Sequence, residues 1–297
     1  MIFNLINKNR RLTIGAFFML LALFCRSQSL TTVHHCLRNQ QNELVKHQAY
    51  SLSYNEAHEQ ANWVSYLNTR AHSISNTERG NDFREDPSVK TGSAELRDYS
   101  GSGYDRGHLA PAADMAWSEL AMSESFFLSN MSPQLPGFNR GIWKQLEALV
   151  RSWASEYDSI LVVTGPVLRE GLAKIGPNQV SVPEQYYKVV YRLKGKEFES
   201  IAFILSQQAH GDLKVFATSV KSIENMVGID FLSGYADAHT KESKLCLECW
   251  TWDIGHVNDR ENLKETTAVR CSAMNKSGSR CKNTTKDPSG LCGTHRK

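Results

Sequence analysis

Residues 104–115 read YDRGHLAPAADM, and the prediction of fold and chemistry starts from this segment. Within it, Asp105, Arg106, Gly107 and His108 stand consecutively. The histidine offers a base that ordinarily titrates near neutrality, the arginine offers a cation for phosphate, and the glycine leaves room for a backbone close by. The segment therefore predicts a site that hydrolyses phosphodiester bonds, and a nuclease is the first hypothesis.

The spacing within this motif predicts how its side chains are arranged. On a strand, Arg106 and His108 face the same side because side chains alternate, so both can reach one phosphate. Asp105 then faces the opposite side, where it can orient or brace neighbouring groups. A histidine taken alone is more often structural, and its basic neighbours are what favour the catalytic interpretation here.

A second group of candidates lies downstream, where residues 139–153 predict an amphipathic helix. On a regular helix beginning at Asn139, the side chains of Asn139, Glu147 and Arg151 lie on one half, beside an apolar stripe. A neutral amide oxygen suits Mg²⁺, a hard cation that keeps several of its waters. Glu147 and Arg151 can equally form a solvated ion pair, worth about 0.2–0.5 kcal/mol.

The remaining patterns indicate an α+β protein, because predicted strands are interspersed with helices. Alternating or continuous apolar runs predict strands at residues 50–54, 160–164, 186–193 and 201–205. Residues 57–67 are compatible with either a helix or an extended segment. No internal repeat is evident between about residues 30 and 258, which predicts a single domain there.

The motif and its surroundings resemble the DNA/RNA non-specific endonucleases, the ββα-metal (His-Me finger) group. The DRGH signature is followed in order by FLSNMSPQ at 127–134, FNRGIW at 138–143 and VTGP at 163–166. Together with YSLSYN at 50–55 and the segment 182–188, the likeness covers about residues 48–235. It implies a ββα-metal fold with a mixed sheet and flanking helices.

The resemblance also implies roles for individual residues. His108 would be the general base, and Asn139 would be the sole direct protein ligand of a hydrated Mg²⁺ or Mn²⁺. A water on that ion would protonate the departing 3′ oxygen, leaving 5′-phosphorylated products. Glu147 would hold the waters around the ion, while Arg106 and Arg151 would steady the negative charge of the phosphate.

Several supporting positions follow from the same resemblance. Asn130 and Gln134 fall at family positions around the site, and Asp105 would brace the motif. The family places a further arginine upstream, which here can be either Arg79 or Arg84. DNA and RNA are the implied substrates, with little base preference because phosphate contacts carry no base information. A non-catalytic nucleic-acid-binding protein on the same scaffold is the main alternative, and oligomeric state is left open.

The N-terminal segment predicts export. Basic residues at Lys8, Arg10 and Arg11 precede an apolar run at 14–25, and residues 1–27 read as a signal peptide. The run is shorter than the roughly 20 residues that a membrane-spanning helix needs, so no stable span is expected after cleavage. The predicted location is periplasmic or extracellular, with lipidation at Cys25 and a mitochondrial presequence as lesser alternatives.

Charge divides the rest of the chain into an acidic domain and a basic tail. Removing residues 1–27 removes four basic residues and no acids, leaving 30 Lys and Arg against 31 acids, about −1. Residues 264–297 carry eight basic and two acidic residues, or +6, so residues 28–263 carry −7. Phosphate affinity in the predicted nuclease domain, 28–263, must therefore come from local arginines and a metal.

The tail at 264–297 is predicted to be a small Cys3His module. Its potential ligands follow the spacing C-x9-C-x10-C-x2-H: Cys271, Cys281, Cys292 and His295. A tail with so little apolar content stays unfolded unless a metal or disulfides hold it. Zinc is favoured and disulfide pairing is the alternative. The separate pair Cys246 and Cys249 is read most simply as a local disulfide.

Overall fold

The computed structural model describes residues 42–194, 197–232 and 238–253, and in the tail 269–274, 279–285, Cys292 and His295. The predicted signal peptide lies outside the described residues. Within these ranges, no helix combines the length and the apolar character needed to cross a bilayer.

Thirteen strands occur in the described residues, and seven of them form the main sheet. In chain order they are β1 (Glu43–Lys46), β2 (Tyr50–Asn55), β3 (Gln60–Thr69), β4 (Asp105–His108), β5 (Met131–Gln134), β6 (Ser159–Pro166), β7 (Lys174–Ile175), β8 (Val180–Ser181), β9 (Gln185–Lys194), β10 (Glu197–Ser206), β11 (Ala217–Thr218), β12 (Val269–Arg270) and β13 (Thr284–Thr285). The order in the main sheet is β1-β2-β3-β6-β9-β10-β11. The strands predicted at 50–54, 160–164, 186–193 and 201–205 are confirmed, and the ambiguous segment 57–67 lies largely in β3.

Each pair of neighbouring strands in the main sheet is antiparallel, so the expectation of a mixed sheet was wrong in this detail. Short connections join β1 to β2, β2 to β3 and β9 to β10, and such hairpins impose antiparallel pairing. The long excursion between β3 and β6 also returns antiparallel.

Helices cover both faces of this sheet, which confirms the α+β class. Their bounds are α1 (Leu96–Tyr99), α2 (Glu119–Glu124), α3 (Pro136–Phe138), α4 (Lys144–Tyr157), α5 (Val220–Val227) and α6 (Ala238–Glu242). Single 3₁₀ turns occur at Arg70–Ser73, Ala112–Asp114, Leu128–Asn130, Leu213–Phe216 and Leu247–Cys249. The ends of α5 show how local sequence sets a helix, since Ser219 caps its first turn and Gly228 ends it at φ 71°.

The core lies in two layers, one on each side of the sheet. Val162 and Val190 belong to the apolar cluster that contains the buried face of α4. Their strand neighbours Leu161 and Val189 belong to the opposite cluster, which α5 covers. Because both faces are covered, the central strand β6 carries a continuous apolar run at 160–163 rather than an alternating pattern.

The excursion between β3 and β6 contains the hairpin β4–β5 and then α4. In this hairpin Arg106 lies opposite Pro133 and His108 lies opposite Met131. The apolar side of α4 packs in the core through Leu146, Val150 and Trp153, which with Trp143 just before the helix form the stripe that the sequence predicts. Two strands followed by this helix make the ββα unit that the resemblance implies.

Candidate active site

The β4–β5 hairpin holds the DRGH motif in place. Gly107 is required at its position because a Cβ there would overlap the side chain of Gln134. The prediction that Arg106 and His108 lie together is consistent with β4, and both side chains line one cleft. Asp105 lines the same cleft instead of facing away. It is the first residue of a four-residue strand, and its carboxylate contacts Asn139, which follows β5 in the chain.

His108 lies in a largely apolar setting at the wall of the cleft. Its side chain is edge-on to Phe126, with ring centroids 5.1 Å apart, and 5.8 Å from the ring of Phe83. Its Nε2 atom has no hydrogen-bond partner among the described residues. Burial first, and then the charges of Arg79 and Arg106, lower the pKa of His108 to about 3.

This pKa differs from the near-neutral value expected from the sequence, because the motif does not reveal that the ring is buried beside two guanidinium groups. A base with so low a pKa remains neutral throughout the physiological range. One of its ring nitrogens can therefore accept a proton from a water molecule.

Asn139 does not lie on a regular helix, so the predicted helix from 139 to 153 was wrong in its first turn. Residues Asn139–Trp143 form a π-helical turn with non-helical angles at Gly141 (φ −101°, ψ −114°), and the regular helix α4 begins only at Lys144. The angles calculated for a continuous helix therefore do not apply to Asn139. It meets the cleft through its tertiary contacts.

Asp105 holds Asn139 and Arg140 together. The Asn139 Nδ2 atom donates to Asp105 Oδ2 at 2.8 Å, and Arg140 donates to both carboxylate oxygens at 2.8 and 2.6 Å. Burial alone would raise the pKa of Asp105, but the hydrogen bonds from Arg140 and Asn139 outweigh it, so this pKa lies below its usual value. An ionised carboxylate only accepts, so the amide nitrogen must face it. The Asn139 carbonyl oxygen is thereby left as the atom available to a cation.

Glu147 and Arg151 extend from α4 into the same cleft, but they do not act as a simple surface ion pair. Arg151 Nε donates to Asp114 Oδ1 at 2.6 Å, and Asp114 is buried and also accepts from the Tyr66 hydroxyl at 3.0 Å. This arrangement orients the guanidinium of Arg151 from behind. Burial raises the pKa of Glu147 to about 7, although the charges of Lys188 and Arg151 oppose the rise.

Lys188, which the sequence did not single out as a site residue, lies beneath this group. It is fully buried, its Nζ atom donates to Thr164 Oγ1 at 2.6 Å, and it lies 4.8 Å from the ring of Trp143. Burial lowers the pKa of Lys188 to about 8, against the opposing effect of the Glu147 charge. A lysine between the aromatic pair Tyr186-Tyr187 and the apolar pair Val189-Val190 of β9 was the available signal.

The structure separates the two upstream arginines. Arg79 lines the cleft, with its guanidinium 5.4 Å from the Phe126 ring. Arg84 is absent from the cleft lining, donates to Asp82 and Ser123, and stacks 4.1 Å from the Phe127 ring. Arg84 thus holds the surface loop against the protein, and of the two arginines only Arg79 lines the cleft.

Asn130 and Gln134 lie behind the cleft surface and are both fully buried. Asn130 accepts a hydrogen bond from the backbone N–H of Ala110 and donates to the carbonyls of Ala110 and Ser125. It therefore joins the loop after His108 to the C-terminal end of α2. The Gln134 amide lies against Gly107, and neither of its polar atoms has a partner among the described residues.

The cleft has a volume of about 1120 Å³ and gathers most of the predicted site residues. Those that line it are Arg79, Asp105, Arg106, His108, Asn139, Glu147 and Arg151. Arg140 and Lys144 add positive charge at the same opening. The amide oxygen of Asn139 and the carboxylate of Glu147 are oxygen donors of the kind that a hard, hydrated cation takes, so this donor set fits Mg²⁺ or Mn²⁺.

Comparison with known proteins agrees with this geometry. A family model described as DNA/RNA non-specific endonuclease matches residues 27–238. The chain belongs to the DNA/RNA non-specific endonuclease family. A chain of the solved EndoG/EndoGI complex aligns with it at a TM-score of 0.62 and 29% identity, covering 68% of this chain and 91% of that one.

Relatives within this family include mitochondrial and cyanobacterial nucleases. "Nuclease 1, mitochondrial" of Schizosaccharomyces pombe is 38% identical over 174 residues, which are 52% of this chain and 53% of that protein. A nuclease of Nostoc is 35% identical over 204 residues, covering 64% and 73%. Human "Endonuclease G, mitochondrial" is 34% identical over 206 residues, covering 64% and 69%. The matched segment thus spans about half the length of the Schizosaccharomyces pombe protein and about 70% of the length of the other two relatives.

The remaining cysteines form two separate groups. Cys246 and Cys249 form a disulfide, as the simplest interpretation of that pair predicted. The sulfur atoms of Cys271, Cys281 and Cys292 lie with a His295 ring nitrogen within 4.8 Å of one another. This Cys3His group could hold a metal ion.

Proposed function

We propose that this family member is an exported, Mg²⁺-dependent, sugar-non-specific endonuclease that hydrolyses DNA and RNA to 5′-phosphorylated fragments. The observation that carries the proposal is one cleft lined by a neutral histidine, an oriented asparagine amide and the arginines Arg79, Arg106 and Arg151. The Cys3His group of the tail has softer ligands and would take zinc, at a site separate from the hydrolytic one.

In the proposed mechanism, His108 removes a proton from the water that attacks phosphorus. Its low pKa keeps the imidazole unprotonated before the reaction, and Asn130 fixes the loop that follows it. When bound by the amide oxygen of Asn139, Mg²⁺ or Mn²⁺ supplies Lewis acidity that stabilises charge on the departing 3′ oxygen. Glu147, which lines the same cleft, would hold waters around such an ion.

The arginines of the cleft bind the phosphate in this proposal. Arg79 and Arg106 extend from the His108 side, while Arg151 extends from α4, held by Asp114. A phosphate between them gains charge-assisted hydrogen bonds, which strengthen as negative charge builds in the transition state. Contacts to phosphate and sugar are common to any sequence, so base preference should be weak.

The rival function is nucleic-acid binding without hydrolysis. A histidine with a pKa of about 3 carries no positive charge at neutral pH, so it contributes little to holding a polyanion. Its burial and lack of charge make it a poor binding group, while its unprotonated ring nitrogen can still accept a proton from water. The geometry therefore favours catalysis over binding alone.

Hydrolysis is tested by incubating purified residues 28–297 with supercoiled plasmid and with RNA, in Mg²⁺ or in EDTA. We expect cleavage of both substrates in Mg²⁺ only, and a loss of about 10²-fold or more in His108→Ala, as for a general base. His210→Ala removes an exposed histidine and is the matched control. Cleavage by the His108 variant at the wild-type rate, or no cleavage by any form across divalent ions and pH, would refute the proposed function.

The proposed export rests on the basic and apolar leader at residues 1–27. Several relatives carry "mitochondrial" in their names, which makes an organelle presequence the competing role for such a segment. Intact mass measurement of the protein from its native host distinguishes the two, together with cell fractionation. Export predicts a mature form that begins near Gln28 outside the cytoplasmic membrane.

A further inference from the structure

The tail brings four potential metal ligands to one point. Cys281 Sγ lies 3.9 Å from Cys292 Sγ, and His295 Nδ1 lies 3.3 Å from Cys292 Sγ and 3.6 Å from Cys271 Sγ. The three cysteines are buried, at 0%, 7% and 4% exposure. Residues that are up to 24 positions apart in the sequence therefore converge on a single centre.

Three of the six ligand-to-ligand separations are close to those of a tetrahedral zinc centre, and all six lie within 4.8 Å. With Zn–S bonds of about 2.3 Å and Zn–N bonds of about 2.05 Å, tetrahedral angles place two sulfurs about 3.8 Å apart and a sulfur and a nitrogen about 3.6 Å apart. The observed values of 3.9, 3.6 and 3.3 Å lie close to them. A disulfide needs about 2.04 Å between its sulfurs, so Cys281 and Cys292 are not bonded to each other.

The backbone around the cluster is built to hold thiolates. The antiparallel pair β12–β13 and the bonds Cys271 N–H to Asn283 O and Cys281 N–H to Ala273 O form a small knuckle. Two donors then point at sulfur: the Cys292 amide at Cys271 Sγ, 3.3 Å away, and Asn283 Nδ2 at Cys292 Sγ, 3.6 Å away. N–H groups directed at sulfur stabilise the deprotonated form that binds a metal.

Nothing else among the described tail residues supplies a core. The three buried cysteines form a cluster of their own, to which only Ala273 adds apolar contact within the part of the tail that the structure describes. So small an apolar cluster does not stabilise a fold without a crosslink.

We propose that the tail is a zinc-folded module in which the thiolates of Cys271, Cys281 and Cys292 and the Nδ1 atom of His295 bind one Zn²⁺. Four protein ligands close the coordination shell, so the ion is structural and takes no water or substrate. Three soft thiolates exclude Mg²⁺, which keeps this site chemically distinct from the oxygen donors at Asn139. The proposal does not depend on the nuclease mechanism.

The test is elemental analysis of the full-length protein purified without added metal, together with spectroscopy after replacing the ion with Co²⁺. We expect one zinc per chain and, with Co²⁺, the visible bands of tetrahedral coordination plus thiolate charge-transfer absorption. Cys281→Ser should lose at least nine-tenths of the zinc. Lys282→Ser alters the exposed neighbour of that ligand and should keep all of it.

A further variant covers the case in which Cys281→Ser simply unfolds the tail. Cys281→His keeps four ligands of a usual zinc set, so it should retain zinc while its Co²⁺ charge-transfer intensity falls by about a third. Absence of zinc from the wild type would overturn the proposal. So would full zinc retention in Cys281→Ser, or mass spectra showing Cys271, Cys281 or Cys292 in disulfides.

Discussion

Replacing Asp105 by Asn tests whether this carboxylate orients the proposed metal ligand. Asp105 accepts from the Asn139 amide nitrogen at 2.8 Å, and an ionised carboxylate accepts only, so the amide oxygen must face elsewhere. An amide at position 105 can both donate and accept. Asn139 then loses its fixed orientation, and its oxygen faces a cation only part of the time.

The magnitude follows from the strength of this contact. A hydrogen bond to a charged group is worth about 1.5–3 kcal/mol, and the side chain of Asp105 is 17% exposed, so the lower end applies. About 1.5 kcal/mol corresponds to roughly a tenfold change in binding. Loss of a residue that supports a metal ligand typically weakens affinity about 10- to 100-fold. Asp105→Asn should therefore raise the Mg²⁺ concentration for half-maximal cleavage by about 10- to 100-fold.

The assay measures initial rates of plasmid nicking over a Mg²⁺ titration, with calorimetric Mg²⁺ binding as a second readout. At saturating Mg²⁺ the variant should approach the wild-type kcat, because His108 and the phosphate-binding arginines are unchanged. Arg140→Ala is the matched control, since it removes the 72% exposed partner of Asp105 and leaves the bond to Asn139. It should change the half-saturating concentration less than about threefold, as for an exposed ion pair.

Two results would refute this reasoning. The first is an unchanged Mg²⁺ requirement in Asp105→Asn, which would mean that Asn139 holds its orientation without the carboxylate. The second is an equal shift in Arg140→Ala, which would assign the effect to the charge network and not to the amide of Asn139.

Three other predictions concern the charged groups of the site. The pKa of His108 is lowered to about 3, so its ring should stay neutral as pH falls from 8 to 5. Its ring NMR signals, assigned by comparison with His108→Ala, should therefore not change with pH in that range. A titration midpoint near pH 6.5 would contradict the burial argument. Arg84→Ala should lower Tm by several degrees, because roughly 1 kcal/mol of hydrogen bonding is lost, and should leave KM for DNA unchanged. Arg79→Ala should raise KM for DNA about tenfold at constant Tm. The reverse pattern would exchange the roles of the two arginines. Lys188→Met removes a buried positive charge near Glu147, so the pKa of Glu147 should rise above about 7 and the acid limb of the pH–rate profile should move to higher pH. The free energy of unfolding should fall by about 3–5 kcal/mol. An unchanged profile, or an equal shift in a Glu147→Gln background, would exclude this coupling.

Much of the fold could be predicted from the sequence because its signals are local. The strands β2, β6, β9 and β10 carry apolar runs that end at turns, and the buried stripe of α4 has helical spacing. The first turn before α4 was mispredicted because the apolar periodicity continues through Gly141, while its backbone does not. The available signal was Gly141 itself, because a glycine inside a helical pattern permits dihedral angles outside the helical region.

The candidate site could be predicted as a set of residues but not as an arrangement. Consecutive residues in the DRGH motif share a strand, so Arg106 and His108 were placed together from spacing alone. Arg79 and Arg84 could not be told apart, because both are exposed-type side chains in a polar segment. Their difference lies in the contact of Arg79 with Phe126, 47 residues away, and that of Arg84 with Ser123, 39 residues away.

The amino-acid sequence by itself determined the family, the chemical groups available to the site and the ligand set of the tail, because these depend on residue identity and short spacing. The tertiary structure alone decided that Asp105 orients Asn139, that His108 is neutral, that Lys188 lies beneath Glu147 and that four tail ligands converge. The physical reason is that desolvation and charge interactions depend on what surrounds a group in space. Those surroundings come from chain segments that only folding brings together.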